Sequence, residues 1–278
     1  MKKTCVIGYP IAHSRSPLIH NYWLQHYGLE GLYEKREVKP EDLQRFLLNL
    51  SFEGYVGCNV TIPHKEAAIA IVPHRDEVVK RTGSLNTIYF EGGMLHATST
   101  DGEGFYRNLL AHVPELDLTG KIAIILGAGG SARAIIERLL RAGIGEIKIL
   151  NRTRARAEEL AVLFGNKVMA IELNRFDNES KTTDLLINAT SQGLKGQADL
   201  EINLAHLPPQ AVVADLVYVP VKTQFLKAAE ARGLRTVSGL GMLLHQAVVG
   251  FEKWYGVKPQ VTDELYQLVA RDIDPDFK

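Results

Sequence analysis

The chain of 278 residues has only two cysteines and no net formal charge, its 32 basic side chains being matched by 32 acidic ones. Two cysteines make neither a disulfide framework nor a metal-ligand spacing. Cys5 and Cys58, far apart in sequence and each in a strand-like run, read as reduced core thiols, which suits a reducing cytoplasm. Charge balance removes the global positive field that draws proteins to nucleic acid or anionic membranes, so neither partner is expected and any anion must be held locally. No run approaches the roughly 18 apolar residues of a membrane span. In MKKTCVIGYP the apolar start is broken by Pro10, then by His13 and Arg15, before a signal-peptide core could form. Internal repeats and low-complexity linkers are lacking as well. None of the nine histidines falls in an HExxH spacing and no GxSxG turn occurs, which speaks against metal-dependent and serine hydrolysis and leaves no metal to expect.

What is present is ordinary globular material: 46% hydrophobic and 23% charged residues, enough chain for two domains of about 150 residues each. Short apolar runs alternate with helical patterns, which predicts an α/β fold of parallel strands and helical crossovers. TCVIG reads as a strand, SPLIHNYWLQHYG as a helix with Ser16 as N-cap and Pro17 at the first helical position, and YVGCNVTI as the next strand. From residue 120 the pattern sharpens. KIAIIL, EIKIL, DLLINA, AVVADLVY and LRTVSG are strands, ARAIIERLLRAG is a helix closed by Gly143, and RARAEELAVLF and TQFLKAAEARG are helices. Together they predict a Rossmann-like, doubly wound nucleotide domain over residues 106–238. GLGMLLHQAVVGFEKWYG then places Leu240, Leu243, Leu244, Ala247, Val248, Phe251 and Trp254 at helical spacing. This segment is expected to return to an N-terminal α/β substrate domain of residues 1–105 plus 239–278, across a cleft, with either the monomer core or a homodimer contact covering its apolar face.

GAGGSA follows a strand and opens a helix, the context that makes a glycine motif credible. Gly127 and Gly129 allow a tight turn and close approach to a pyrophosphate, Ala132 takes the third glycine's place, and Ala128, Gly130 and Ser131 complete the loop. After the second strand, where an acidic residue would hold a ribose 2′-hydroxyl, the chain reads NRTRAR. Cations at a helix N-terminus oppose its dipole by about 0.3–1 kcal/mol each. The arrangement makes sense if an anion sits there, so Asn151, Arg152, Thr153 and Arg156 are read as holding the 2′-phosphate of NADP(H), with Thr153 also a candidate cap. A merely solvated helix start is the competing explanation, strongest for Arg154.

GCNVTIPHKE, residues 57–66, starts as a buried strand and breaks at a proline. Pro63 does not suit a central strand, and a lysine is seldom buried unpaired. Lys65 is therefore either a solvated loop end or a group held for chemistry.

HSRSP at 13–17, NVTIPHK at 59–65, SLNT at 84–87, STDG at 99–102, GAGGSA, NRT, NATSQG at 188–193 and GLGMLLHQA at 239–247 together resemble the shikimate dehydrogenase family over nearly the whole chain, in the same order. The resemblance implies NADPH-dependent, reversible reduction of 3-dehydroshikimate to shikimate in aromatic amino acid biosynthesis. It implies a catalytic Lys65 paired with Asp101, a substrate shell of Ser14, Ser16, Asn59, Thr61, Asn86, Tyr218 and Gln246, and further cofactor contacts at Thr190, Gly239 and Met242. The chemistry agrees: a ring with a carboxylate, hydroxyls and a ketone needs short polar side chains and a proton donor at the carbonyl oxygen. A lysine beside a carboxylate is an acid at neutral pH, and the reverse reaction needs the neutral amine.

Each shell residue has a structural alternative: Ser16 a helix cap, Asn59 a strand-edge partner, Tyr218 a core aromatic, Gln246 an exposed helical position. Departures from the family's usual pattern are His64 beside the lysine, Gly83 and Ser84 before Leu85, and Ser99 before Thr100. They leave discrimination against quinate open, so a dual quinate/shikimate dehydrogenase is the enzymatic rival. A silent NADP(H)-binding sensor is the other, although it would not need an acid together with its charge partner.

Overall fold

The computed structural model describes residues 1–277, and the chain divides into two compact units. One comprises Met1–Gly104 and Leu243–Val269; the other comprises Phe105–Met242 and the chain from Ala270.

The first unit contains β1 (Lys2–Gly8), α1 (Ser16–His26), β2 (Gly31–Glu37), α2 (Leu43–Leu48), β3 (Tyr55–Val60), α3 (His64–Ala67), β4 (His74–Arg75), α4 (Glu77–Thr82), β5 (Thr87–Glu91) and β6 (Met94–Thr98). Its sheet runs β2-β1-β3-β5-β6-β4. β1 pairs in parallel with β2 and β3, but β3–β5 and β5–β6 are antiparallel, so the sheet is mixed rather than uniformly parallel. The β5–β6 pair is a tight hairpin at Gly92-Gly93, both with positive φ, as a two-residue turn matched to strand twist demands. One sheet face buries Cys5, Ile7, Cys58, Val60 and Ile88 against Phe46, Leu47 and Leu50. Cys5 and Cys58, distant in sequence, are register partners on β1 and β3 and are free thiols.

Ser16 is not the cap of α1. It is the first helical residue, Arg15 stands at the cap position, and no side chain caps the helix. Pro17 in the first turn needs no acceptor, and the Ser16 N–H donates back to Ser14 Oγ at 3.3 Å.

α5 (Asp101–His112) starts in the first unit and runs into the second, which continues through β7 (Ile122–Leu126), α6 (Gly130–Arg141), β8 (Glu146–Leu150), α7 (Arg154–Phe164), β9 (Val168–Ala170), α8 (Phe176–Glu179), β10 (Leu185–Asn188), β11 (Val212–Asp215), α9 (Gln224–Ala231) and β12 (Arg235–Val237). Its sheet is wholly parallel in the order β12-β11-β10-β7-β8-β9. The strand order reverses between β7 and β10, the switch point at which a doubly wound sheet receives its ligand. The sheet is covered on both faces: Ile125, Ile147, Ile187 and Ala214 pack with Ile135 and Leu139 of α6, while Ile124, Leu186 and Val213 pack with Phe225 and Leu226 of α9.

α10 (Gly239–Tyr255) and α11 (Asp263–Ile273) close the chain. The apolar seam of α10 is buried within the chain itself, with Leu240, Leu244, Ala247 and Phe251 fully covered. Its two initial glycines permit close packing. A Cβ on Gly239 would lie 2.3 Å from the Leu216 carbonyl oxygen, and one on Gly241 would lie 1.9 Å from Asn108 Oδ1. Further along, the Trp254 indole N–H donates to the Ile88 carbonyl at 2.9 Å, over a sheet position where Gly57 leaves room for the ring.

Candidate active site

In the first unit the break after NVTI is what presents the lysine. β3 stops at Val60, Thr61 N donates to the Ile7 carbonyl at 2.9 Å, and α3 begins at His64, so Lys65 falls in a short first turn. Its ammonium is paired with Asp101 Oδ2, and both side chains are largely buried, with 13% and 7% of their surface exposed. Asp101 opens α5, where the helix dipole favours a carboxylate. Its other oxygen accepts from Asn86 Nδ2 at 2.8 Å. Asn86 is held in that sense because its Oδ1 already accepts from the Thr100 N–H at 2.9 Å. Gln246 Oε1 faces the same amide at 3.2 Å, and Gly104 gives its backbone room, since a Cβ there would sit 2.7 Å from Gln246 Cβ. Gln246 is thus buried, not an exposed helical position.

Asn59 is buried as well. It accepts from the Tyr33 hydroxyl at 2.6 Å and donates to the Asn86 carbonyl and Thr87 Oγ1, each at 3.0 Å. Ser16 is buried, and its hydroxyl is a hydrogen-bond neighbour of Tyr33. Ser14 and Thr61 are half-buried, and Thr61 packs so closely on Gly8 that a Cβ there would lie 2.6 Å from its methyl. His64 is a satisfied core histidine, its Nε2 lying 2.7 Å from the Val38 carbonyl. Lys65, Asp101, Asn59, Asn86 and Gln246 therefore form one connected polar cluster, while Tyr218 is half-buried in the other unit.

In the second unit the glycine turn has the shape an anion needs. Gly127 has φ +105 and accommodates the Ala189 carbonyl, which a Cβ would approach to 2.9 Å. Gly129, at the cap of α6, has nothing within 4 Å of where a Cβ would be, so the first turn of the helix opens onto free space. Ala128 is buried, and Gly130 and Ser131 are half-buried in that turn. Arg152 and Arg156 are exposed at the start of α7 and have no carboxylate partner among the described residues. Arg154, in contrast, is bound to Glu158 at 2.7 Å and to Glu172. Thr153 stands at the cap position without a side-chain cap bond, which leaves its hydroxyl uncommitted to the helix, and Asn151 Nδ2 donates to its carbonyl at 2.8 Å. This set fits a phosphate: two cations, a hydroxyl, and a neighbouring arginine already neutralised. Thr190 is oriented by Asn188 Oδ1, which accepts from its N–H at 3.0 Å and its hydroxyl at 2.7 Å; Gly239 and Met242 are buried.

The sequence reading gave no role to Tyr33, Asp215 or Thr87, the last of the SLNT motif. Asp215 is buried at the end of β11 and accepts from Asn188 Nδ2, the Val217 N–H and the Thr223 hydroxyl; burial raises its carboxyl to about 6. A lone carboxylate inside the apolar run AVVADLVY was the available signal. Among the described residues no group of His, Cys, Asp and Glu could hold a metal ion, and no helix is long and apolar enough to cross a membrane.

A paired lysine and carboxylate in one unit, with a doubly wound, open glycine-turn sheet and phosphate-fitting arginines in the other, define a dinucleotide-dependent oxidoreductase. Residues 6–88 match the shikimate dehydrogenase substrate binding domain, and residues 109–202 match the shikimate / quinate 5-dehydrogenase family. The NADP(+) shikimate dehydrogenase of Rhodopseudomonas palustris strain TIE-1 is 50% identical over 99% of this chain and 98% of its own, and that of Nitrobacter hamburgensis is 51% identical over 98% and 95%. Among solved structures, the Thermus thermophilus shikimate 5-dehydrogenase in complex with NADP(H) and shikimate superposes with TM-score 0.86, at 36% identity over 98% of this chain and all of that one. The quinate dehydrogenase of Corynebacterium glutamicum in complex with NAD gives TM-score 0.88 at 25% identity, covering 96% of this chain and 98% of that one. The chain belongs to the shikimate dehydrogenase family.

Proposed function

We propose that Lys65 and Asp101 are the proton-handling pair of an NADP-dependent shikimate dehydrogenase, which reversibly reduces 3-dehydroshikimate to shikimate in aromatic amino acid biosynthesis. The observation that carries this reading is the buried Lys65–Asp101 ion pair, held by Asn86 and set in a cluster of short polar side chains. NADPH, when bound, supplies the hydride that reaches the carbonyl carbon. Lys65 Nζ would donate a proton to the carbonyl oxygen of the substrate, and Asp101 would hold the ammonium in place. Ser14, Ser16, Asn59, Thr61, Asn86, Tyr218 and Gln246 bind the carboxylate and hydroxyls. On the cofactor, Gly127, Ala128, Gly129, Gly130 and Ser131 cradle the pyrophosphate. Asn151, Arg152, Thr153 and Arg156 hold the 2′-phosphate end, and Thr190, Gly239 and Met242 line the nicotinamide end. Domains of 1–105 plus 239–278 for substrate and 106–238 for cofactor, and a cytoplasmic setting, go with this assignment.

The test follows nicotinamide reduction when purified protein meets shikimate and NADP, with quinate and NAD exchanged in parallel. Turnover confined to shikimate and NADP supports the reading, and Lys65→Ala should then lose at least about a hundredfold in kcat while still binding NADP. Cofactor binding without turnover by the unaltered protein would favour a silent sensor instead, and equal rates with quinate would favour the broader enzyme.

A further inference from the structure

Beneath the Lys65–Asp101 pair the polar groups are ordered in one direction. The Tyr33 hydroxyl donates to Asn59 Oδ1 at 2.6 Å. Asn59 Nδ2 donates to Thr87 Oγ1 at 3.0 Å, the Thr87 hydroxyl donates to Asn86 Oδ1 at 3.1 Å, and Asn86 Nδ2 donates to Asp101 Oδ1 at 2.8 Å. Asp101 then holds Lys65. All five residues from Tyr33 to Asp101 are buried, Tyr33 and Thr87 almost completely.

The direction is not free to reverse. An amide has one accepting and one donating end, so Asn59 turned over would face Thr87 with its oxygen and Tyr33 with its nitrogen. What prevents this is the Asn86 main-chain carbonyl, an acceptor only, which takes an Asn59 Nδ2 hydrogen at 3.0 Å and so leaves Oδ1 to the Tyr33 hydroxyl. Burial pushes the Tyr33 phenol well above its usual range, so it remains a protonated donor. The ring is fixed in turn: it stacks on the fully buried His20 ring at 4.1 Å between centroids and 2° between planes. Tyr33 reaches Asp101 through three intervening side chains. Its hydroxyl also neighbours the Ser16 hydroxyl, on the side opposite to the relay in the sequence of bonds.

We propose that Tyr33 is a positioning residue for the reaction: as the donor to Asn59 Oδ1 it secures the buried end of the Asn59–Thr87–Asn86 chain and thereby the orientation of Asp101 and its lysine. The inference rests on the function proposed for Lys65 and Asp101. Buried, mutually polarising hydrogen bonds behave as a unit, so losing one end loosens the whole.

The experiment compares Tyr33→Phe, which keeps the stacked ring and removes the oxygen, with Thr87→Val, which removes the middle hydroxyl at nearly the same volume, and with the double variant. The expected result is a kcat lowered about tenfold in each single variant with KM for NADP unchanged, and a double variant no slower than the slower single one, because both break the same chain. Native kcat in Tyr33→Phe would overturn the inference, as would multiplying losses in the double variant or a matching rise in the KM for NADP, which would signify general damage. Should Tyr33→Phe not fold, Thr87→Val with native kcat overturns it equally. Absence of turnover in the unaltered protein overturns the functional reading together with this inference, whereas native turnover in the variants overturns this inference alone.

Discussion

The Thr223 hydroxyl donates to Asp215 Oδ2 at 2.6 Å, joining the end of β11 to the cap of α9, where the same oxygen of Thr223 accepts from the Leu226 N–H at 3.3 Å. Because burial raises the Asp215 carboxyl from its ordinary 3.8 to about 6, the folded protein binds this proton more readily than the unfolded chain. Ionisation is therefore a cost that appears as pH rises from about 4 to 6 and is constant above. Relative to Asp215→Asn, the native protein should lose about 3 kcal/mol of stability across that window. Urea titrations of both proteins at pH 4, 5, 6 and 7 measure the difference, and a difference that does not change with pH refutes it.

His20 works in the opposite sense. Both ring nitrogens lack partners among the described residues, and burial lowers its pKa from 6.5 to about 3. Above pH 6.5 the ring is neutral in both states and costs nothing. As pH falls from 6.5 towards 3 only the unfolded chain takes up the proton, so stability is lost by up to about 1.4 kcal/mol per pH unit. His20→Leu should lack that component, whatever its constant offset from lost stacking. Parallel slopes of stability against pH for the two proteins would exclude it.

Gly57 lies where β3 meets the indole of Trp254. An added Cβ would stand 2.1 Å from Trp254 Nε1 and 2.4 Å from the Ile88 carbonyl oxygen, which are bonded to each other. Gly57→Ala should destabilise by about 1–3 kcal/mol through overpacking. Fluorescence-monitored urea unfolding checks the loss and reports the displaced tryptophan; an unchanged midpoint rejects it.

The arginines after β8 should divide by their partners. Arg152→Ala is expected to raise the KM for NADP about tenfold to a hundredfold, the value of a charge-assisted hydrogen bond, and to leave NAD turnover unchanged. Arg154 is already spent on Glu158 and Glu172, so Arg154→Ala should stay within about twofold of the native KM. Steady-state kinetics with both cofactors decides, and a larger effect at Arg154 than at Arg152 reverses the assignment.

The second unit was legible because buried parallel strands such as EIKIL are continuous apolar runs bounded by turns, and that run is β8 residue for residue. The first unit was less so. β2, GLYEKRE, is an edge strand with four charged residues in a row, and β5 and β6 read as one stretch unless the Gly92-Gly93 turn is recognised. In the candidate site, family motifs pointed to Lys65, Asp101, Asn59, Asn86 and Gln246, which the fold gathers from four separate segments. Tyr33 and Thr87 were given no role because a tyrosine and a threonine in strands are what strands ordinarily contain. Both bond Asn59, which lies on a strand distant in sequence from either, a pairing no local pattern records.

The Lys2 ammonium donates to the Trp254 carbonyl at 2.8 Å, and Thr4 shares a hydrogen bond of 2.7 Å with the Tyr255 hydroxyl. β1 thus bonds to a helix translated some 250 residues later. During synthesis the middle of the chain, residues 105–242, is complete before its own N-terminal neighbour can be. Until α10 is made, the nascent sheet has only α1 on that face, which makes the uncovered part the natural client of a chaperone.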